Sequence, residues 1–186
     1  MIEKEHVIRT IKEIIKGVQN RDTPLLRSLS NHTIHSASIY QDPDAVALAV
    51  TAYALSKVVE RENYHHYPEW KQFLKSCVTD LEKAITGLEQ DNIGKFRKAI
   101  IRIRESITKM GSKLKDYISE VFRKAAINKA SRIYEHGISR AETAKILGIT
   151  QWELAEYVGR TGIADIDLSV TKTIKERLKL AEKLFK

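Results

Sequence analysis

The chain has 186 residues and a formal net charge of +8, enough length for one large helical domain or two small ones with a real core. Its single cysteine, Cys77, excludes an intramolecular disulfide framework and a cysteine-based zinc site, and a cytoplasmic location is expected. The longest uncharged apolar run, residues 45–55, is far shorter than the roughly 20 residues that span a bilayer, and the mixed-charge start MIEKEHVIRT does not read as a secretory signal; no membrane partner is expected.

Val7, Ile11, Ile14 and Val18 recur at helical spacing and predict an amphipathic first helix that stops between Gly17 and Asp22. Thr23-Pro24 then predicts a cap and a proline at the first helical position of a second helix, and Asp42-Pro43-Asp44 repeats that signal for a third, reaching about Glu60. The first eleven positions of that third helix are apolar or small on every side, which suits the middle of a bundle. Residues 61–68 break the pattern. Pro68 opens a fourth helix with the stripe Trp70, Leu74, Cys77, Leu81, Ala84 and Leu88, and Ile93, Phe96, Ile100, Ile103, Ile107 and Met110 form the seam of a fifth. A sixth runs from Lys113 to about His136 with Leu114, Ile118, Val121 and Ala125 inward. No segment alternates with the period of a half-buried strand, so the fold class is all-α, and neither an internal repeat nor a low-complexity tract is evident.

From Ala126 the sequence reads AINKASRIYEHGISRAETAKILGITQWELAEYVGRTG. Ala130, Ile133 and Tyr134 give one inner face, His136-Gly137 a helix end, and Ser139 with Glu142 a capping-box pattern for the next helix. Ala144 allows close crossing, Gly148 occupies a turn, and Thr150 caps a third helix whose Leu154, Tyr157 and Val158 return to the core. After it, Ser169 or Thr173 can cap a last helix carrying Ile174, Leu178, Ala181 and Leu184 or Phe185. The expected organisation is a helical bundle over residues 1–112 followed by a helix-turn-helix unit and a final helix over 113–186.

The phrase ISRAETAKILGIT followed by an amphipathic helix resembles the trihelical helix-turn-helix of resolvases, sigma factors and small repressors, and TQWELAEYVGRTGI is similar to the third helix of small prokaryotic antitoxin-type proteins. The resemblance covers at most the final 60 or so residues. It implies a DNA-binding regulator that acts by occupying a site, with the start of the third helix in the major groove: Thr150, Gln151, Trp152 and Ala155. Gln151 has the groups to read adenine and Thr150 to meet a phosphate or a thymine methyl, whereas Glu153 and Glu156 oppose a polyanion. Phosphate attraction then falls to Arg140, Lys145, Arg160 and the preceding stretch with Arg123, Lys124, Lys129 and Arg132.

The charge distribution agrees: residues 1–90 hold 11 basic and 12 acidic side chains, residues 91–186 hold 21 and 12. DNA is therefore the expected partner, a homodimer suits paired half-sites, and the N-terminal bundle is open to dimerisation, sensing or a protein partner. Two alternatives remain: an antitoxin-like adaptor whose helix-turn-helix surface meets protein, and a helical ribonuclease. The second rests on SLSNHTIHSAS, where His32 and His35 share one side of a helix and Arg27 to His32 resembles the arginine-histidine pattern of HEPN nucleases, with His65, His66, Glu60 and Glu62 further on. In those nucleases the pattern comes late in the bundle; here it comes early. Structural histidines, no metal, no cofactor and no catalysis are expected.

Overall fold

A computed structural model describes residues 4–40, 42–61, 65–106, 112–135, 139–147 and 150–161. These form α1 (Lys4–Gln19), α2 (Thr23–Tyr40), α3 (Pro43–Glu60), α4 (Pro68–Glu89), α5 (Ile93–Ser106), α6 (Ser112–Glu135), α7 (Arg140–Leu147) and α8 (Gln151–Thr161). No strand occurs among the described residues, and the fold is all-α. The last expected helix, and Ile107 and Met110 of the α5 seam, lie outside the described residues.

The expected starts hold for α3 and α4 and shift by one residue for α2. Asp42 accepts the Asp44 and Ala45 amides at 2.9 and 3.4 Å, with Pro43 in the first turn of α3. For α2 the cap is not Thr23 but Asp22, whose carboxylate accepts the Leu25 amide at 2.9 Å. In α4, Phe73 joins Trp70, Cys77, Leu81, Ala84 and Leu88 in the core, while Leu74 is only half-buried.

α3 lies at the centre, as its lack of a polar face requires. It packs against α1, α2, α5, α6 and α7, and Leu48, Ala49, Ala52, Ala54, Leu55 and Val58 are fully shut off from solvent. The buried cluster runs without a break from Val7 to Leu154. It crosses the expected division near residue 112: Leu114, Ile118, Phe122 and Ala125 of α6 belong to the same core as α3, and α6 continues to the positions where α7 and α8 rest on it.

The structure also reveals an internal repeat that residue identities conceal. Shifting the numbering by 70 carries Gly17 onto Gly87 and superimposes the whole α1–α2 turn on the α4–α5 turn. Asp22 and Asn92 donate their amides to the carbonyls of Gly17 and Gly87, both at 2.8 Å. Arg21 and Asp91 donate theirs to Val18 and Leu88, at 3.4 and 3.0 Å, and both adopt left-handed φ, 56° and 52°. This is the Schellman helix end made twice. Asp22 and Asn92 then cap the following helices identically, at 2.9 Å from the Leu25 and Lys95 amides.

The same shift matches buried with buried: Ile11 with Leu81, Ile14 with Ala84, Leu26 with Phe96, Leu48 with Ile118, Ala52 with Phe122 and Leu55 with Ala125. α1 packs on α4 and α3 on α6, while α2 meets α6 as α5 meets α3. The likeness of the two three-helix units stops at their third helices: α3 packs broadly on α2 and also meets α1, whereas α6 makes no comparable contact with α5 or α4 among the described residues. α7 and α8 follow only the second unit.

Candidate nucleic-acid interface

α6, α7 and α8 each touch the other two, and α7 also rests on α3. Buried Ala130 and Ile133 of α6, Ala144 of α7 and Leu154 of α8 supply the apolar contacts. The turn residues Gly148 and Ile149, and the helix end at His136-Gly137, lie outside the described residues.

The start of α8 is built by a reciprocal cap. The Glu153 amide donates to Thr150 Oγ1 at 3.1 Å, while the Thr150 amide and hydroxyl both donate to Glu153 Oε2 at 2.9 and 2.8 Å. This is a full capping box, and its two members stand three residues apart as the motif demands. Thr150 holds the cap expected of it, and Glu153, expected only to oppose a polyanion, completes it. Thr-x-x-Glu carries the same capping-box pattern as Ser139–Glu142.

The capping box changes the electrostatics of the helix. Glu153 Oε1 faces Arg123 Nη1 at 3.5 Å across to α6, so this partly exposed carboxylate has a cation beside it. Hydrogen bonds from the Thr150 backbone and side chain, followed by Arg123, hold its carboxyl below the usual range. Glu156 lies on the same side and, with Glu153, lines a cleft against α6. Gln151 and Trp152 are left on the outside, and Trp152 is 80% exposed.

The described members of the expected phosphate anchors divide into three groups. Arg140, the first residue of α7, is exposed. Arg123 and Lys124 are exposed but paired: Arg123 forks onto Glu120 at 2.8 and 3.0 Å, and Lys124 reaches the same carboxylate at 3.3 Å. The Glu120 carboxyl is lowered to about 2, first by the Arg123 hydrogen bond and then by Lys124. Lys129 is not on the outer basic face at all. It is 1% exposed, its amine donating to Asn31 Oδ1 at 2.8 Å and lying 4.4 Å from the centre of the Tyr53 ring. Counted by the 70-residue shift it falls on buried Val59. The side chains of Arg132, Lys145 and Arg160 lie outside the described part of the structure.

Among the described residues the histidine-rich segment and its expected partners are spread over several contacts. His32 and His35 are exposed on α2, and Arg27 is engaged by Glu60 of α3. Lys57, the larger influence, and Arg27 lower the Glu60 carboxyl against the effect of burial. His65 instead meets Arg21 Nη1 through Nδ1 at 3.3 Å and stands 5.2 Å from the Trp70 ring. Among the described residues no group of three or more His, Cys, Asp or Glu is placed to hold a metal ion. Burial, helped by Asp80, pushes the Cys77 thiol far up, which suits a packing role.

Among the described residues no helix is long and apolar enough to cross a membrane. No protein-family model, curated protein or solved structure matches the chain.

Proposed function

We propose that the chain binds duplex DNA through α7 and the first turn of α8, and that it regulates transcription by occupying its site. The observation that carries this reading is the division of α8. Glu153, engaged by the capping box and Arg123, and the exposed Glu156 line the cleft on the α6 side, while Gln151 and Trp152 face outward. The main electrostatic objection to a third helix in a groove is thereby weakened. Arg140 at the start of α7 and the basic excess of residues 91–186 supply attraction to phosphate. Buried Lys129 and the paired Arg123 and Lys124 are removed from the anchors, so few phosphate contacts are expected and nonspecific affinity should be modest.

The test is fluorescence anisotropy with labelled duplexes at several salt concentrations. Affinity should fall steeply as salt rises, and Arg140→Ala should flatten the slope by about one phosphate. On a selected site, Gln151→Ala should lose about 1–3 kcal/mol of discrimination against single-base variants. Affinity that ignores salt, or is unchanged in both variants, would sink the proposal. Trp152 favours a second reading, because a tryptophan this exposed on a helix face also suits a protein hot spot. A stoichiometric protein complex lost in Trp152→Ala, with no affinity for DNA in the wild type, is the outcome that selects the adaptor.

A further inference from the structure

Between α3, α6 and α8 lies a cleft of about 760 Å³, within the range of small-molecule sites. Tyr53, Tyr117, Val121 and Ile127 give it an aromatic and aliphatic wall. Its charged rim is nearly all spoken for. Glu60 takes Arg27 and Lys57, Glu120 takes Arg123 and Lys124, and Glu153 takes Arg123 and the Thr150 cap. The exception among the cations is Arg61. Its guanidinium lies 5.4 Å from the centre of the Tyr117 ring and makes no ion pair with any described residue.

We infer that this cleft binds a small planar aromatic molecule bearing one carboxylate, which pairs with Arg61, and that its occupancy modulates the contact α8 makes with DNA. The ring has the wall to lie on, and the exposed Arg61 guanidinium beside Tyr117 presents a fork that matches a carboxylate. A single charge is favoured because four carboxylates line the same cleft, so a polyanion would meet more repulsion than one spare guanidinium offsets. Coupling follows from position: the occupant touches α3 and α6 on one side and Glu153 and Glu156 of α8 on the other. The ligand site stands on its own observations; its regulatory consequence rests on the DNA-binding reading.

The experiment titrates the full chain with 2-naphthoate and with its neutral counterpart 2-naphthamide, observed by saturation-transfer NMR, and repeats both with Arg61→Gln and Arg61→Lys. Naphthoate should bind at least tenfold more tightly than the amide, Arg61→Gln should abolish that preference, and Arg61→Lys should recover part of it. Circular dichroism checks that the variants fold, which an exposed side chain just beyond α3 should permit. No binding of naphthoate at millimolar concentration, or the same acid preference in Arg61→Gln, overturns the site. Saturating naphthoate should then change duplex affinity at least threefold in the wild type and not in Arg61→Gln. An unchanged affinity overturns the regulatory step alone, and a chain that binds the acid but no DNA overturns the DNA reading with it while leaving the site.

Discussion

The hairpins α1–α2 and α4–α5 make the same turn from different side chains. Both use a glycine at the last full turn, a non-glycine residue in the left-handed region, and an Asp or Asn that closes one helix and caps the next. Beyond those positions the pair diverges. Leu26 is replaced by Phe96, and Arg27 reaches Glu60 near the end of α3 while Arg97 forks onto Asp44 near its start, at 2.8 and 2.9 Å. A handful of backbone requirements therefore fixes the geometry, and the core fills whatever space that geometry leaves.

The two glycines offer the largest contrast. A methyl group on Gly87 would stand 2.7 Å from the backbone nitrogen of Phe96, which cannot yield without moving the start of α5. On Gly17 the nearest atoms, at 2.9 Å, belong to the buried Leu26 side chain, which would have to shift within the core but leaves the backbone in place. Gly87→Ala should destabilise the protein by about 2–3 kcal/mol, even after the gain in helix propensity, whereas Gly17→Ala should cost about 1 kcal/mol or less. Urea unfolding of both variants decides it; equal costs would mean that the two hairpins are packed with the same slack.

Lys129 and Val59 offer a second contrast, one position of the repeat filled in two ways. If the alkyl stem of Lys129 matters more than its charge, Lys129→Met should stay within about 1 kcal/mol of wild type, because methionine keeps the volume and Asn31 is exposed enough to turn to water. Lys129→Ala should lose more, by about 2 kcal/mol, through the cavity it leaves. A methionine variant as poor as the alanine one would instead locate the stabilisation in the amine.

This repeat also explains what the sequence made legible and what it hid. Helix starts were readable because Asp-Pro and Pro signals act within a few residues, as at Asp42 and Pro68. The duplication was not, since Ile14 and Ala84, or Ala52 and Phe122, share burial and not chemistry. At the candidate interface, Gln151 and Trp152 lie outside because Leu154 fixes the inward side of a short helix, while Ala155, expected beside them, is half-buried. Lys129 lies hidden for the opposite reason: periodicity counts a lysine as polar, while its long stem packs beside Tyr53 and only its amine needs a partner.

The left-handed residues should respond more weakly. Arg21 and Asp91 hold φ of 56° and 52°, a region that costs a residue with a Cβ about 1–2 kcal/mol, part of which glycine returns as added freedom of the unfolded chain. Asp91→Gly also gives up the exposed pair with Lys4, at 2.6 Å, which is worth little. A net gain of about 0.5 kcal/mol is expected, read as a small rise in the urea midpoint. Arg21→Gly should gain less, because Arg21 is also held by His65. A loss in both variants would show that the side chains at these positions do more than tolerate the turn.

The smallest expected effect separates the second unit from the first by pH. Glu120, which joins Arg123 and Lys124 on α6, has no carboxylate counterpart in the first unit, where Val50 holds the matching place. Its carboxyl is lowered to about 2 in the folded protein, from the ordinary value near 4.5 that the unfolded chain keeps. A depressed acid stabilises above the unfolded value, and that contribution disappears as the pH falls from about 4.5 toward about 2. Glu120→Gln lacks it throughout, so the melting temperatures of wild type and variant should differ most near neutral pH and converge in that acid window. The pairs are exposed, so the difference should be small and should shrink in high salt. A gap between the two proteins that stays constant from pH 7 down to pH 2.5 would show that Glu120 acts through packing and not through its charge.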